Sequence, residues 1–332
     1  RNFWRTSSMV KLRVGLIGIG RMGSCHYYAY RSVDEAEIVA VCDIRTDMAA
    51  EITENAVKIY ADYKEMVEKE NLGIDDICTP SYMHADMSVY CLAKGINVLC
   101  EKPMTLTGAD ADRVLEAAKK TDKFFMTAHV VRFMRAYEYL KSVVCEKKYG
   151  NLVRLDMKRV SAIPLWSWNN WFLDEKLSGG VTTDLSIHDF DFVQSMLGSP
   201  DELNAYYRPK KNDSAFVLTV MKYGDAVVTT EGTWYNAEVP FHADYYAVFD
   251  NGYVEFTGGR VLDCGKEIDL GATSPAVELG INIKGDDAYR NEIAYFAHCV
   301  ATGTKPSFVT PDSSAASVKL SDKIKAVAKI ID

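Results

Sequence analysis

The sequence lacks two features that mark whole classes of protein. It has no block of lysine or arginine, and 46 acidic residues outnumber 38 basic ones, for a net charge of −8. Nucleic acids and anionic membrane surfaces attract basic patches, so we expect no nucleic-acid partner and no membrane partner. No apolar run approaches the ~20 residues of a membrane-spanning helix, which also argues against an integral membrane protein.

The eight cysteines form no C-x-x-C pair, so the sequence signals neither a zinc motif nor a thiol–disulfide motif. Several, such as Cys42 and Cys100, lie in apolar runs. Buried free thiols are typical of a reducing compartment, and we therefore expect a cytoplasmic protein. The charged segment Arg1–Ser8 lacks the apolar core of a signal peptide, so we expect Met9 to be the native start and leave that segment out of the fold prediction.

The first ~130 residues alternate short β-branched runs with helix-like stretches. The runs are apolar nearly throughout, which is typical of strands buried on both faces of a parallel sheet with helical crossovers. The fold class predicted here is α/β, a doubly wound Rossmann sheet. The predicted strands are Leu12–Gly18, Ile38–Asp43, Ile74–Cys78, Asn97–Glu101 and Lys123–Ala128. The predicted helices are Met22–Ser32, Met48–Asn55, Tyr63–Glu70, Ala85–Lys94 and one that Thr107 caps and that runs to Lys120.

After Gly150 the pattern changes to closely spaced strands with hairpin signals, which indicates an α+β domain with an open, mostly antiparallel sheet. We expect three units: residues 9–130, residues 131–309, and a C-terminal helix within 310–332 that returns to the first domain. The predicted strands are Leu152–Val160, Asp201–Tyr206, Ala215–Met221, Ala226–Glu231, Tyr245–Phe249 and Tyr253–Thr257. The predicted helices are Asp184–Leu197, Tyr289–Thr302 and Pro311–Ile331.

A glycine motif, G-x-G-x-x-G from Gly18 to Gly23, follows the first strand and opens the first helix. This is where a dinucleotide pyrophosphate approaches the backbone and the positive end of a helix. Asp43 ends the second strand about 20 residues later, where a carboxylate binds the ribose hydroxyls, although a simple turn residue is the alternative. The carboxylate favours NAD over NADP, while Arg45 keeps NADP open. The residues predicted to bind the cofactor are Gly18, Gly20, Arg21, Met22, Gly23, Asp43, Ile44, Arg45, Thr79, Pro80, His84, Glu101 and Lys102.

The chemistry is expected where the strands of the first sheet end, because ligands bind there in open α/β folds. Lys102 follows one strand, and its ammonium can stabilise a developing alkoxide; a surface lysine is the alternative. Thr79 and Pro80 follow the preceding strand and are expected to line the cofactor cleft. His84 is either part of that lining or a helix residue without a ligand.

A second cluster places Asp184, His188 and Asp191 at i, i+4 and i+7, on one face of a predicted helix. A histidine beside a carboxylate is a tuned general acid/base, and alcohol oxidation needs one because the hydroxyl must lose a proton. Asp-x-x-x-His is also metal-ligand spacing, but we expect no metal because a further ligand cluster and nearby thiolates are lacking. A capping role for Asp184 is a third possibility.

With these motifs, the chain resembles the glucose-fructose oxidoreductase / inositol dehydrogenase (Gfo/Idh/MocA) family. The resemblance rests on four motifs in family order, which span nearly the whole chain from Leu12: G-I-G-R-M-G at Gly18–Gly23, E-K-P at Glu101–Pro103, R-F at Arg132–Phe133, and S-G-G-x-x-x-D-x-x-I-H-D-F-D at Ser178–Asp191. The last motif is most similar to the inositol dehydrogenase branch.

The resemblance implies that Lys102, Asp184 and His188 form the catalytic group, with the histidine as proton acceptor and the lysine polarising the oxygen. It implies that Asp191 faces the substrate, and that the sheets pack face to face in a homodimer or homotetramer. Trp171 is either a sugar-stacking residue or part of the core. The residues expected to bind a polyol or sugar substrate are Lys102, Arg132, Trp171, Asp184, His188 and Asp191.

The resulting hypothesis is an NAD(H)-dependent oxidoreductase that transfers a hydride between the nicotinamide and a secondary alcohol or ketone of a cyclitol or sugar. Asp184 is expected to orient a neutral His188. Two alternatives stay open: an NAD-dependent glycosidase that oxidises the sugar only transiently, and a non-catalytic dinucleotide-binding regulator. The regulator would be expected to lack Lys102 and His188, and both are present.

Overall fold

The computed structural model describes residues 10–211, 214–271 and 287–331, so Arg1–Ser8 and Met9 lie outside the described residues. Its first sheet has six parallel strands in the order β3-β2-β1-β4-β5-β6, which confirms the predicted doubly wound sheet. The elements are β1 Leu12–Ile17, α1 Arg21–Tyr30, β2 Ala36–Cys42, α2 Thr46–Thr53, β3 Lys58–Tyr60, α3 Tyr63–Lys69, β4 Ile74–Ile77, α4 His84–Ala93, β5 Asn97–Glu101, α5 Gly108–Lys119 and β6 Phe125–Ala128.

Strands β1, β4, β5 and β6 are buried because crossover helices cover both faces of the sheet. Helix α5 begins where the sequence predicts it, since the Thr107 hydroxyl accepts the backbone N–H of Asp110 at 3.1 Å. The order of the strands reverses between β1 and β4. A crevice therefore opens beyond their carboxyl ends, where the segments that carry the predicted site residues begin.

The second sheet has nine strands in the order β14-β13-β12-β11-β7-β10-β9-β8-β15. Strand β7 is parallel to β10 and β15 is parallel to β8, whereas the other neighbours are antiparallel, which confirms a mostly antiparallel sheet. The elements are α6 Arg135–Cys145, β7 Leu152–Ala162, α7 Glu175–Ser178, α8 Ile187–Leu197, β8 Glu202–Lys211, β9 Ser214–Tyr223, β10 Ala226–Tyr235, β11 His242–Phe249, β12 Gly252–Thr257, β13 Arg260–Asp263, β14 Lys266–Ile268, α9 Ala288–Thr302, α10 Pro311–Val327 and β15 Lys329–Ile330.

Three of the differences from the sequence prediction lie in the helices of the second half. Helix α6 occupies a stretch for which no element was predicted, and it buries Tyr137, Leu140 and Val143 on one face. Helix α10 ends at Val327 instead of Ile331, because Ala328 adopts an extended backbone and the next two residues pair with β8. The segment before α8 is a separate π-helical turn over Val181–Leu185, so the helix predicted from Asp184 begins only at Ile187.

The C-terminal helix α10 contacts one helix beside each of the two sheets. It packs against α8 and against α5 of the first domain. There, Lys319 Nζ lies 2.6 Å from Asp112 Oδ1, and the Gly108 backbone N–H donates to Asp322 Oδ2 at 2.7 Å. The exact domain boundaries stay a prediction. No helix of the described residues is both long and apolar enough to cross a membrane.

Candidate active site

The glycine turn between β1 and α1 has the geometry that a dinucleotide requires. Gly18 has φ +88°, a left-handed conformation that favours glycine. A Cβ on Gly23 would lie 1.9 Å from the carbonyl oxygen of Gly18, so only glycine permits this close packing of helix on turn. At Gly20, the N-cap of α1, the structure gives no side-chain cap and the first turn contains no acidic residue. The open N–H groups at this helix end can therefore bind a pyrophosphate.

Asp43, directly after β2, is buried against the glycine turn. Its Oδ2 accepts the backbone N–H of Ile19 at 3.0 Å, and its Oδ1 accepts the backbone N–H of Arg45 at 2.9 Å. The Arg45 guanidinium also lies 3.3 Å from Oδ1. An ionised carboxylate has about four lone-pair sites, so lone pairs remain for ribose hydroxyls. The structure thus places Asp43 beside the turn, as the spacing predicts.

A cleft of about 420 Å³ runs from the glycine turn to the second domain, a volume typical of cofactor and substrate sites. Most residues predicted to bind cofactor or substrate line it: Gly18, Gly20, Arg21, Met22, Asp43, Ile44, Arg45, Thr79, Pro80, Glu101, Lys102, Trp171 and Asp184. Five others are absent from its lining: Gly23, His84, Arg132, His188 and Asp191.

An aromatic loop of the second domain covers part of this cleft. Trp171 stacks on Phe172 with ring centroids 4.0 Å apart, and Trp166 lines the cleft beside them. The Arg21 guanidinium lies 4.8 Å from the centroid of the Trp166 ring, a cation–π contact that joins the glycine turn to the second domain. The sequence pointed to Trp171, but it did not indicate which partner would bring this loop over the cofactor site.

The two domains meet at Lys102 and Asp184. The Lys102 ammonium donates to the Asp184 carboxylate at 2.9 Å and to the Asp184 backbone carbonyl at 2.8 Å, with both side chains largely shielded from water. This contact joins the end of β5 to the π-helical turn. It also corrects one expectation, because the Asp184 carboxylate pairs with Lys102 and does not orient His188.

His188 is 3% exposed, and its Nδ1 has no hydrogen-bond partner among the described residues. Burial, and then the nearby positive charges of Lys102 and Arg159, hold the pKa of the His188 imidazole well below its ordinary value of 6.5. Arg159 is itself buried and is fixed by Asp189 at 2.7 Å. His188 is therefore a neutral imidazole with an unused nitrogen, which is the state a proton acceptor requires.

Arg132 and Asp191, expected to contact substrate, instead pair with each other in the interior. The guanidinium donates to both carboxylate oxygens, at 2.7 and 2.6 Å, and the Ser317 hydroxyl donates a third hydrogen bond at 2.8 Å. Burial alone would raise the pKa of Asp191, but the charge of Arg132 lowers it below its ordinary value. With its oxygens engaged in this way, the carboxylate does not line the cleft and supports its wall.

Of the two alternatives for His84, the structure agrees with a helix residue outside the cleft lining. Its Nδ1 lies 2.7 Å from the Pro103 carbonyl oxygen and its Nε2 lies 2.9 Å from the Thr79 carbonyl oxygen. Both ring nitrogens are thus engaged by backbone, and the side chain is buried away from the cleft. His84 braces the turns after β4 and β5 against each other instead of contacting the cofactor.

His129, which directly follows β6, was not among the residues predicted from the sequence. It is buried, neither ring nitrogen has a hydrogen-bond partner within the described ranges, and Nε2 lies 3.3 Å from Asp191 Oδ1. Burial lowers the pKa of His129 to about 4, so this ring is neutral too. Its position at the carboxyl end of a parallel strand is the signal that could have identified it.

Two family matches cover more than two thirds of the chain. Residues 12–129 match the family described as an oxidoreductase family with an NAD-binding Rossmann fold. Residues 137–255 match the GFO/IDH/MocA C-terminal domain.

Similar proteins include sugar and cyclitol dehydrogenases. The chain is 31% identical to the myo-inositol 2-dehydrogenase of Thermotoga maritima over 195 residues, which are 58% of this chain and 56% of that protein. It is 27% identical to the inositol 2-dehydrogenase of Salmonella paratyphi B over 241 residues, 70% of this chain and 68% of that protein. The first match thus spans little more than half of the relative's length. The crystal structure of myo-inositol 2-dehydrogenase from Lactobacillus plantarum has the same fold, with a TM-score of 0.81 at 23% identity, over 96% of this chain and 97% of that one.

Proposed function

Because the chain belongs to the Gfo/Idh/MocA oxidoreductase family, we propose that it is an NAD-dependent dehydrogenase that acts on a secondary alcohol of a cyclitol or sugar. The observation that carries the proposal is the Lys102–Asp184 contact of 2.9 Å at the cleft. His188 is buried behind the cleft lining, close enough for the Lys102 charge to lower its pKa. The relatives named inositol 2-dehydrogenase support the substrate class.

The residues of the cleft fit NAD. Its pyrophosphate would lie on the uncapped N-terminus of α1 at Gly20, and its adenosine ribose would lie on Asp43. Arg45, beside that carboxylate, leaves NADP as a weaker second cofactor. When bound, oxidised NAD supplies the acceptor for the hydride that leaves the substrate carbon.

The chain's own residues handle the proton and the charge on oxygen. Lys102 donates a hydrogen bond to the substrate oxygen and stabilises negative charge that develops there. Asp184 holds that ammonium at 2.9 Å. The neutral His188 accepts the hydroxyl proton as the C–H bond breaks, and in the reverse direction it returns the proton to the carbonyl oxygen.

We further propose a cytoplasmic homo-oligomer. All eight cysteines are free and six of them are buried, which suits a reducing compartment. The face of the second sheet that carries Val220, Val227 and Tyr246 leaves these apolar side chains 37–40% exposed. On the same face these apolar side chains alternate with Arg154, Asp156 and Lys222, and a mixed exposed surface of this kind supports pairing of two copies. A monomeric mass by light scattering at micromolar concentration would contradict this part of the proposal.

The deciding experiment incubates the full chain with a panel of cyclitols, sugars and keto-sugars and follows NADH absorbance with NAD and NADP separately. We expect at least one cyclitol or sugar to be oxidised with NAD, and His188→Gln to abolish most of that rate. Hydrolysis of an aryl glycoside without net NADH would support the glycosidase instead. Tight NADH binding without turnover of any compound would support the regulator.

A further inference from the structure

A buried charged cluster lies directly behind the cofactor turn. His26 on α1 places Nδ1 2.8 Å from Asp76 Oδ2 and Nε2 3.1 Å from Glu101 Oε1. The imidazole and the Asp76 carboxylate are fully buried, and the Glu101 side chain is 7% exposed. One ring therefore bridges the strand ends of β4 and β5 to the helix that follows the glycine turn.

The two carboxylates keep the His26 ring protonated. Burial alone would lower the pKa of His26, but the Asp76 carboxylate raises it well above its ordinary value. Burial alone would raise the pKa of Glu101, but the hydrogen bond and charge of His26 lower it. The ring is thus an imidazolium between two carboxylates, and each nitrogen donates to one of them.

The groups that face this ring come from three directions. Tyr30 and Cys25 lie on α1, and burial raises the pKa of each, so both are neutral. Cys78 follows β4, its thiol lies 3.4 Å from Asp76 Oδ1, and its pKa is also raised by burial. From α9 come Tyr289, whose ring lies 6.2 Å from the His26 ring, and Glu292. Burial raises the pKa of Glu292 well above its ordinary value, so this neighbour adds no charge.

The cluster reaches the candidate active site through Glu101. While Oε1 faces His26, Oε2 accepts the backbone N–H of Lys102 at 2.9 Å. The Lys102 side chain then extends from this fixed backbone to Asp184. A single carboxylate therefore joins the imidazole to the lysine on which the proposed mechanism depends.

We propose that His26 is a positioning residue, which ties the cofactor-binding helix to the backbone of Lys102 through Glu101 and so holds the lysine over the reacting oxygen. This inference rests on the proposed function of Lys102. Displacement of a reacting group by about 1 Å can lower turnover by about 10²-fold, so a clamp two residues removed from substrate can affect kcat strongly.

A buried metal is the competing interpretation of the same cluster. Ligand atoms of His26, Asp76 and Cys78 lie within 4.8 Å of one another. Both ring nitrogens, however, already lie at hydrogen-bond distance from carboxylates, and the hydrogen bonds account for the arrangement. Elemental analysis of the purified protein decides between the two, and stoichiometric zinc or another transition metal would overturn the positioning role.

The test compares His26→Gln with a matched control, Glu292→Gln, which replaces a buried neutral acid of the same neighbourhood. We expect His26→Gln to lower kcat by about 10–10²-fold with the Kd of NADH changed less than about 3-fold. Without the imidazolium, the Glu101 carboxylate should also keep its proton to higher pH, so the kcat profile should gain one ionisation. The double variant His26→Gln, Glu101→Gln should lose this ionisation of Glu101, and Glu292→Gln should never show it.

A second readout does not need turnover. The rate at which an amine-reactive reagent modifies Lys102 should rise several-fold in His26→Gln, because the lysine leaves Asp184. The modification rate of the exposed Lys94 should stay the same. If His26→Gln does not fold, Glu101→Gln replaces it and should raise the Lys102 rate in the same way. Unchanged kcat and unchanged Lys102 reactivity in a folded variant overturn the proposal. If the wild-type protein oxidises no compound, but the His26→Gln variant still shows the faster modification of Lys102, the result contradicts the proposed function and leaves the positioning role intact.

Discussion

Replacing Asp43 by serine should change which dinucleotide this protein prefers. In the structure, the carboxylate holds the Ile19 and Arg45 backbone N–H groups and partly neutralises the Arg45 guanidinium, 3.3 Å away. Bound NAD would add hydrogen bonds from its ribose to the same oxygens. The 2′-phosphate of NADP would instead meet a buried negative charge. Serine removes that charge and releases Arg45 toward the phosphate.

The expected size follows from two contributions. A hydrogen bond to a charged group contributes about 1.5–3 kcal/mol, so NAD should bind roughly 10–10²-fold more weakly. Two unit charges about 5 Å apart interact by about 3 kcal/mol at an effective dielectric constant of about 20, so relief of repulsion should favour NADP by about 10²-fold. Solvent screening of the partly exposed Arg45 lowers this second value. The preference ratio should therefore shift toward NADP by at least about 10²-fold.

The assay is kcat/KM for NAD and for NADP with one fixed substrate, with dissociation constants from NADH and NADPH fluorescence. The ratio is the informative quantity, because a damaged glycine turn would weaken both cofactors together and leave it unchanged. Asp62→Asn is the matched control, since Asp62 lines the same end of the cleft, is exposed, and caps α3 through the Lys64 N–H at 2.9 Å. An unchanged ratio in a folded Asp43→Ser protein would refute the assigned role.

Three further outcomes are expected. His188→Gln should lower kcat for alcohol oxidation by about 10²–10⁴-fold and leave the Kd of NADH unchanged, and full retained turnover would exclude a proton-accepting role. Glu292→Gln should raise the free energy of unfolding increasingly as pH rises above about 4.5, by up to about 1.4 kcal/mol per pH unit, because folded Glu292 keeps a proton that the unfolded chain releases. Thermal melts across pH would contradict this if the gain were constant. Trp166→Leu should speed NADH release about 2–5-fold, because it removes the contact with Arg21. Stopped-flow measurements compare it with the control Trp168→Leu, which should release NADH more slowly than Trp166→Leu.

Much of the fold was predictable because the first domain is locally consistent. Apolar strands, caps such as Thr107 and the glycine turn all indicate the same structure, and the observed sheet agrees. Strand β3 has a weak local signal because it is only three residues long. Helix α6 is different, because its buried residues Ala136, Tyr137, Leu140 and Val143 recur at helical spacing, a signal that the prediction overlooked.

For the candidate site, prediction worked where position along the chain determines position in space. Strand ends of a parallel sheet meet at one edge, so Asp43, Thr79 and Lys102 could be assigned to one cleft from their spacing alone. Pairing between domains could not be assigned in this way. The spacing of Asp184, His188 and Asp191 indicates a shared helix face, but it does not reveal that Arg132 takes one carboxylate and Lys102 the other.

The difference in pairing matters for the chemistry. If Asp184 contacted His188, its negative charge would raise the pKa of the imidazole and enlarge the protonated fraction, which cannot accept a proton. With Asp184 on Lys102 and Asp191 on Arg132, burial, and then the positive charges of Lys102 and Arg159, hold the pKa of His188 low. The same contact keeps an ammonium at the cleft to receive the alkoxide. Separation of the two carboxylates from the imidazole therefore favours both the neutral ring and the placed ammonium on which the proposed proton transfer depends.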